Sequence, residues 1–192
     1  GSNVRPITPI DGHDGLRLMP AGPTYHSEIT DGINQSGDEI FQAMPWLELD
    51  QPIPNQVSEY LHDVERYGKG GLSYHWAVQF RGETAGLIAL DYTPHLVIGH
   101  WNLGYWIRPE FQRKGLAGHS IDAVLKWIGR GGLTSVEMAV NPINIAGVKT
   151  AESAIKRWNG HRLSDEVEVE VSGQKIMHHC WLIPRLPLEG KQ

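Results

Sequence analysis

The sequence predicts a single domain of the α/β (α+β) class, built on a mixed, mostly antiparallel sheet of about seven strands. Three observations carry that reading. Val57, Tyr60, Leu61 and Val64 recur at i, i+3, i+4 and i+7, which is one apolar helix face. Residues 73–107 hold three strand-like runs in close order. The last of these leads into a helical face and then another strand-like run at 133–140, and a β-helix-β crossover of this kind makes its two strands parallel and right-handed.

Taken in order, 16–18 opens a short strand ended near Pro20, and 25–44 reads as helical pieces broken by Gly32 and Gly37. The Pro-rich stretch 51–54 is an ordinary loop before the Val57 helix. Strands are expected at 73–80, 84–93 and 96–107, the first two joined by the tight turn Arg81-Gly82-Glu83. In the first, Tyr74, Trp76, Val78 and Phe80 alternate with Ser73, His75, Ala77 and Gln79, so that one side packs and the other can be polar. Ala117, Ile121, Val124, Leu125 and Ile128 form the crossover helix face, ending at Gly129. Val148, Ala151, Ile155 and Trp158 form a last face that stops at Asn159-Gly160. The tail, 161–171 and 175–184 around Ser172-Gly173, reads as a hairpin whose Glu166, Glu168 and Glu170 make a solvated edge.

A chain of 192 residues with 40% hydrophobic content can bury one sizeable core, so residues 3–192 are read as one domain and Gly1-Ser2 as a cloning remnant. A net charge of −5 without a basic stripe argues against a nucleic-acid partner and suits a cationic amine. The single Cys180 excludes an internal disulfide framework and reads as a buried core residue. With no apolar span to insert in or cross a membrane, the expected location is the cytoplasm. Ten histidines invite a metal, but their spacing does not: His-Glu-x-x-His is missing and His178-His179 on a strand point to opposite faces, so no metal is expected.

The stretch Gly104-Tyr-Trp-Ile-Arg-Pro-Glu-Phe-Gln-Arg-Lys-Gly-Leu-Ala117 carries the functional signal. A strand ends at Arg108-Pro109, and a glycine-containing turn delivers the chain to a helix N-terminus, where unpaired amides and the positive dipole end favour phosphate. Neither a Walker loop nor Gly-x-Gly-x-x-Gly is present. Gln112-Arg-Lys-Gly115-Leu-Ala117 resembles the Gln/Arg-x-x-Gly-x-Gly/Ala signature of the GNAT (Gcn5-related) N-acetyltransferases, and Asn141-Pro-Ile-Asn144-Ile-Ala-Gly147-Val-Lys-Thr-Ala-Glu152 is similar to the element opening that family's next helix. Together with Met44-Pro45-Trp46 and Tyr105-Trp106, these resemble the RimJ/RimL-like branch.

The resemblance implies a GNAT-like fold with a splayed parallel strand pair, helices on both faces, and acetyl-CoA as cosubstrate. It places backbone contacts at Tyr105, Trp106 and Ile107, the diphosphate at Gln112, Arg113, Lys114, Gly115, Leu116, Ala117 and Gly118, and the pantetheine arm at Asn144 and the adjoining Gly147. The side chains of Tyr105 and Trp106 are expected to pack rather than bind. The acceptor would be an amine, either a small molecule or a protein N-terminus, and a homodimer is left open.

Amine attack on a thioester needs donors at the nascent oxyanion and a base for the amine proton. Glu137, near the end of the strand before Asn144, is the first candidate base and is expected to border the cleft; His100 is the second, on the other splayed strand with Asn102, and His75 and Asp91 on neighbouring strands are further candidates. Gly147 and Ala151 stand where relatives place an acidic Ser or Tyr, which leaves a second reading open, a catalytically quiet acyl-CoA-binding module.

Overall fold

The computed structural model describes residues 5–92, 100–132 and 134–184. Their strands form one sheet with helices on both faces. In chain order the elements are β1 (Ile10–Asp11), β2 (Leu16–Pro20), α1 (His26–Asn34), α2 (Ile40–Ala43), α3 (Ile53–Gly70), β3 (Ser73–Phe80), β4 (Glu83–Tyr92), β5 (His100–Ile107), α4 (Leu116–Gly129), β6 (Ser135–Val140), α5 (Ile145–Trp158), β7 (His161–Arg162), β8 (Val167–Val171) and β9 (Gln174–Ile183). The sheet runs β1-β2-β3-β4-β5-β6-β9-β7, with β8 also paired to β9. Only β5 and β6 are parallel among the described pairs.

Local sequence explains most boundaries. The Arg81-Gly82 and Ser172-Gly173 turns both have two residues at positive φ, 50° and 84° in the first and 49° and 81° in the second, which is the backbone a two-residue hairpin needs. α5 stops where Asn159 turns left-handed at φ 57°. α3 begins with proline in its first turn and ends at Gly71, with φ 71°.

Several expectations are corrected. The sheet has nine strands rather than about seven, because β1 and β7 are two-residue pairings too short to leave a periodic signal. The expected strand 161–171 is interrupted, with β7 and β8 separated by residues 163–166. β3 is buried on both sides, since α3 covers the face expected to be polar: Ala77 is sealed and His75 is only part-buried. α1 runs through Gly32, whose bare Cα lies against Trp106 and Arg108; a Cβ there would come within 2.7 Å of both side chains. The expected residues 93 and 96–99, and Leu133, lie outside the described residues.

Two apolar clusters sandwich the sheet. On one face Tyr74, Trp76, Ile88 and Leu103 pack with α4 and α5 through Ile121, Leu125, Ala154 and Trp158; on the other Leu87 and Trp106 pack with Ile29, Ile33, Leu61 and Val64 of α1 and α3. Asp122 ties α4 to α5: Arg157 Nε and Nη2 each donate to its Oδ1 at 3.0 Å, and Trp158 Nε1 donates to the same oxygen at 2.8 Å. Asp122→Ala should therefore lower unfolding free energy by roughly 1.5–3 kcal/mol, the worth of hydrogen bonds to a charged group. Urea denaturation measures this, and a change under 0.5 kcal/mol would mean that Arg157 finds water as good a partner.

Candidate active site

Among the described residues β5 and β6 lie side by side in three rows, His100 with Ser135, Trp101 with Val136 and Asn102 with Glu137. Beyond that point β5 continues to Ile107 paired with β4 alone, and β6 continues to Val140 paired with β9 alone. Two strand edges thus part, and each presents main-chain donors and acceptors to the gap. A chain with amide groups of its own can enter there as an extra strand.

The gap leads to the turn between β5 and α4. Arg108 anchors it: its amide donates to Ala85 O at 2.7 Å and its Nη1 to Thr84 O at 2.9 Å. Phe111 is buried beneath, and Gln112 Nε2 donates back to Ile107 O at 3.0 Å. Arg113 (φ 64°) and Gly115 (φ 74°) are both left-handed, and Gly115 caps α4 without a side chain to crowd the turn. The amides of Leu116, Ala117 and Gly118 point out of the first helical turn with no acceptor available inside the helix, and α4's positive dipole end adds to them. Arg113 and Lys114 are exposed. Lys114 and His119 line a cavity of about 310 Å³ together with His13 and Arg81. His13, Arg81 and His119 escape a reading of the motif alone, because two come from other turns and His119 falls one helical turn past it.

At the other wall, Asn144 caps α5: its Oδ1 accepts from the Gly147 amide at 3.0 Å, leaving its Nδ2 as a donor on an exposed side chain. Buried Asn141 sets the approach, its Oδ1 accepting from Ile143 N at 3.2 Å and its carbonyl from Asn144 N at 2.9 Å. If Asn144 holds the pantetheine arm, as the resemblance implies, Asn144→Ala should raise the acetyl-CoA Michaelis constant by the loss of one hydrogen bond, about 0.5–1.5 kcal/mol. Lost thermal stability with an unchanged constant would assign Asn144 to capping alone.

The chemistry-bearing side chains stand on the α1–α3 face. Asp91, Asn102 and Glu137 occupy one registered row across β4, β5 and β6. Glu137, expected at the cleft border, sits in the last row before the strands part, 3% exposed, and Cys180 Sγ donates to its Oε2 at 3.6 Å. Burial and the neighbouring carboxylate push the Cys180 thiol up to about 12, so it stays protonated. Gly104 is exposed in the same strand face and meets nothing within 4 Å, which leaves floor space beside the gap. For His100 the described structure covers the backbone only. Trp106 is buried between Gly32 and the α1–α3 cluster. Tyr105 packs toward α4 and α5, where burial raises its ionisation against a hydrogen bond with Thr150.

A family model described as an acetyltransferase (GNAT) domain matches residues 23–154, a span that contains the gap, the amide turn and the start of α5. The chain belongs to the GNAT acetyltransferase family. With that family it is an acyl-CoA-dependent N-acetyltransferase that takes acetyl-CoA as cosubstrate. A search of the curated proteins by sequence finds no match. Among solved structures it is similar to RimL, the ribosomal L7/L12 alpha-N-protein acetyltransferase, in complex with coenzyme A, at 15% identity and TM-score 0.79, covering 95% of this chain and 99% of that one. It is also similar to the putative ribosomal-protein-serine acetyltransferase of Vibrio cholerae (18% identity, TM-score 0.73, 94% and 99% covered). A third is the Microcin C7 self immunity acetyltransferase MccE with acetyl-CoA and AMP (16%, TM-score 0.68, 88% and 92%). At these identities the likeness is one of fold. Among the described residues no helix is long and apolar enough to cross a membrane, and no three metal-ligating side chains cluster.

Proposed function

We propose that this GNAT domain passes acetyl from acetyl-CoA to a primary amine by direct attack within a ternary complex. The observation that carries the reading is the parting of β5 and β6 beyond Asn102 and Glu137, toward an amide-lined helix start. Pantetheine would lie in the gap as an added strand, its diphosphate on the amides of residues 112–118, its amides near Asn144. The thioester carbonyl would then face the β5 edge at 105–107, whose main-chain N–H groups would stabilise the oxyanion. The amine enters from the α1–α3 face. Its nitrogen bonds to the carbonyl carbon, the C–S bond breaks, the thiolate leaves as CoA, and Glu137 receives the amine proton directly or through water. The acceptors of the ribosomal-protein enzymes similar in fold make a protein N-terminus the first class to try, followed by small amines.

The test is CoA release in the presence and absence of acceptor, with N-terminal peptides, amino acids, diamines and aminoglycosides. Release that depends on added amine supports transfer. Tight CoA binding with no amine-dependent release across the panel would favour the quiet module that Gly147 and Ala151 suggest.

A further inference from the structure

Tyr60, His75 and Asp91 come from α3, β3 and β4 and stand in one hydrogen-bonded line on the α1–α3 face. The Tyr60 hydroxyl lies 2.7 Å from His75 Nδ1, and His75 Nε2 lies 2.9 Å from Asp91 Oδ1. A carboxylate only accepts, so Nε2 carries a proton, and in the neutral ring Nδ1 accepts from the Tyr60 O–H. Burial, and then the Asp91 charge, push the Tyr60 ionisation up, which keeps Tyr60 a neutral donor. The His75 side chain is 11% exposed and that of Asp91 52%, so the line is sealed at the ring and open at the carboxylate. Among the described residues Asp91 Oδ2 has no partner.

A stacked aromatic pair closes the other end of this line, behind His75. Trp46 stacks flat on Tyr60, with centroids 4.4 Å apart and planes 6° apart, and the Tyr60 ring meets His75 edge-on at 5.5 Å. A carboxylate held in place by His75 and open to solvent suits a cation. Its place relative to the chemistry is set by register: Asp91 pairs with Asn102, and Asn102 with Glu137, in the row where β5 and β6 part. Neighbouring strands lie roughly 4.8 Å apart, so Asp91 is one strand removed from the gap, too distant to hold the attacking nitrogen and well placed for another group of the same acceptor.

We propose that Asp91, oriented by His75 and Tyr60, anchors a second positive charge on the acceptor, so that the preferred acceptor carries two cationic nitrogens. One is delivered to the gap and the other is held at Asp91. The inference rests on the amine-transfer reading above. The shared chemistry is an ammonium or guanidinium group, supplied by a small diamine or by a basic side chain next to a peptide N-terminus.

Calorimetry on the CoA-saturated protein tests it with two matched pairs, 1,4-diaminobutane against butylamine and Ser-Lys amide against Ser-norleucine amide. In at least one pair the dication should bind about tenfold or more tightly than its partner, the scale of a charge-assisted hydrogen bond. The pair that shows the preference identifies the source. Asp91→Asn keeps an oxygen to accept from His75 but loses the charge, so it should erase the preference and leave butylamine or Ser-norleucine amide binding unchanged. No preference in the unaltered protein overturns the proposal without any variant, as does a preference that survives in Asp91→Asn. Turnover of the same ligands separates the two readings. Asp91-dependent binding without acetyl transfer would sink transfer alone, whereas transfer at equal kcat/KM to both members of each pair would sink the anchor alone.

Discussion

Glu137→Gln should lower the rate of acetyl transfer by roughly 10²–10⁴-fold while the affinity for acetyl-CoA stays near that of the parent, because general-base assistance is typically worth that much. Glutamine preserves the size of the side chain and its capacity to accept from Cys180, so the buried corner where Glu137 sits keeps its packing. The proton acceptor is removed together with its charge. The deficit should shrink as pH rises, since an amine already free of its extra proton needs no base. Steady-state turnover and calorimetric affinity, measured on both proteins from neutral to alkaline pH, check this. Normal turnover at neutral pH would make Glu137 a buried strand residue and move the experiment to position 100. If every candidate tolerates replacement, solvent takes the proton and positioning with oxyanion stabilisation does the rest.

A comparably large effect is expected from Gly115→Glu. The residue is left-handed at φ 74° and stands at the mouth of the first α4 turn, within reach of the unpaired amides. Glutamate there adds bulk, an unfavourable backbone conformation and a negative charge where two phosphates would lie. Acetyl-CoA binding should become too weak to measure by calorimetry at concentrations that saturate the parent, with the circular dichroism spectrum retained. Parent-like affinity would place the diphosphate elsewhere.

Much of this architecture is legible in the residues themselves. The two-residue turns at Arg81-Gly82 and Ser172-Gly173, the helix stop at Asn159 and the crossover that makes β5 and β6 parallel all follow from local chemistry and chirality. So does Asn144 as a cap, since its position ahead of an apolar helical face is a start signal. What local pattern does not carry is the assembly of side chains from separate strands. His75 and Asp91 meet only because β3 and β4 pair in the register that sets Ser73 against Asp91, and His75 against Ala89. Tyr60 offered a clue: on the apolar face of its helix, its hydroxyl required a buried partner, and a histidine is among the few that suit. Glu137 was legible as a strand residue, while its depth depended on β9 crossing beside it, with Leu182 opposite and Cys180 in contact.

The packing around residue 147 restricts how this domain can change. A methylene added there would lie 2.6 Å from Asn144 Nδ2 and 2.9 Å from a Val140 methyl. Restoring a serine at this position, in search of a proton donor for the departing thiolate, would therefore displace the very side chain proposed to hold the pantetheine arm. The gain in one function and the loss in the other are coupled through a single contact, so a lineage or an engineer taking that route needs a prior substitution at Val140 or a repositioned Asn144, and the order of the steps matters.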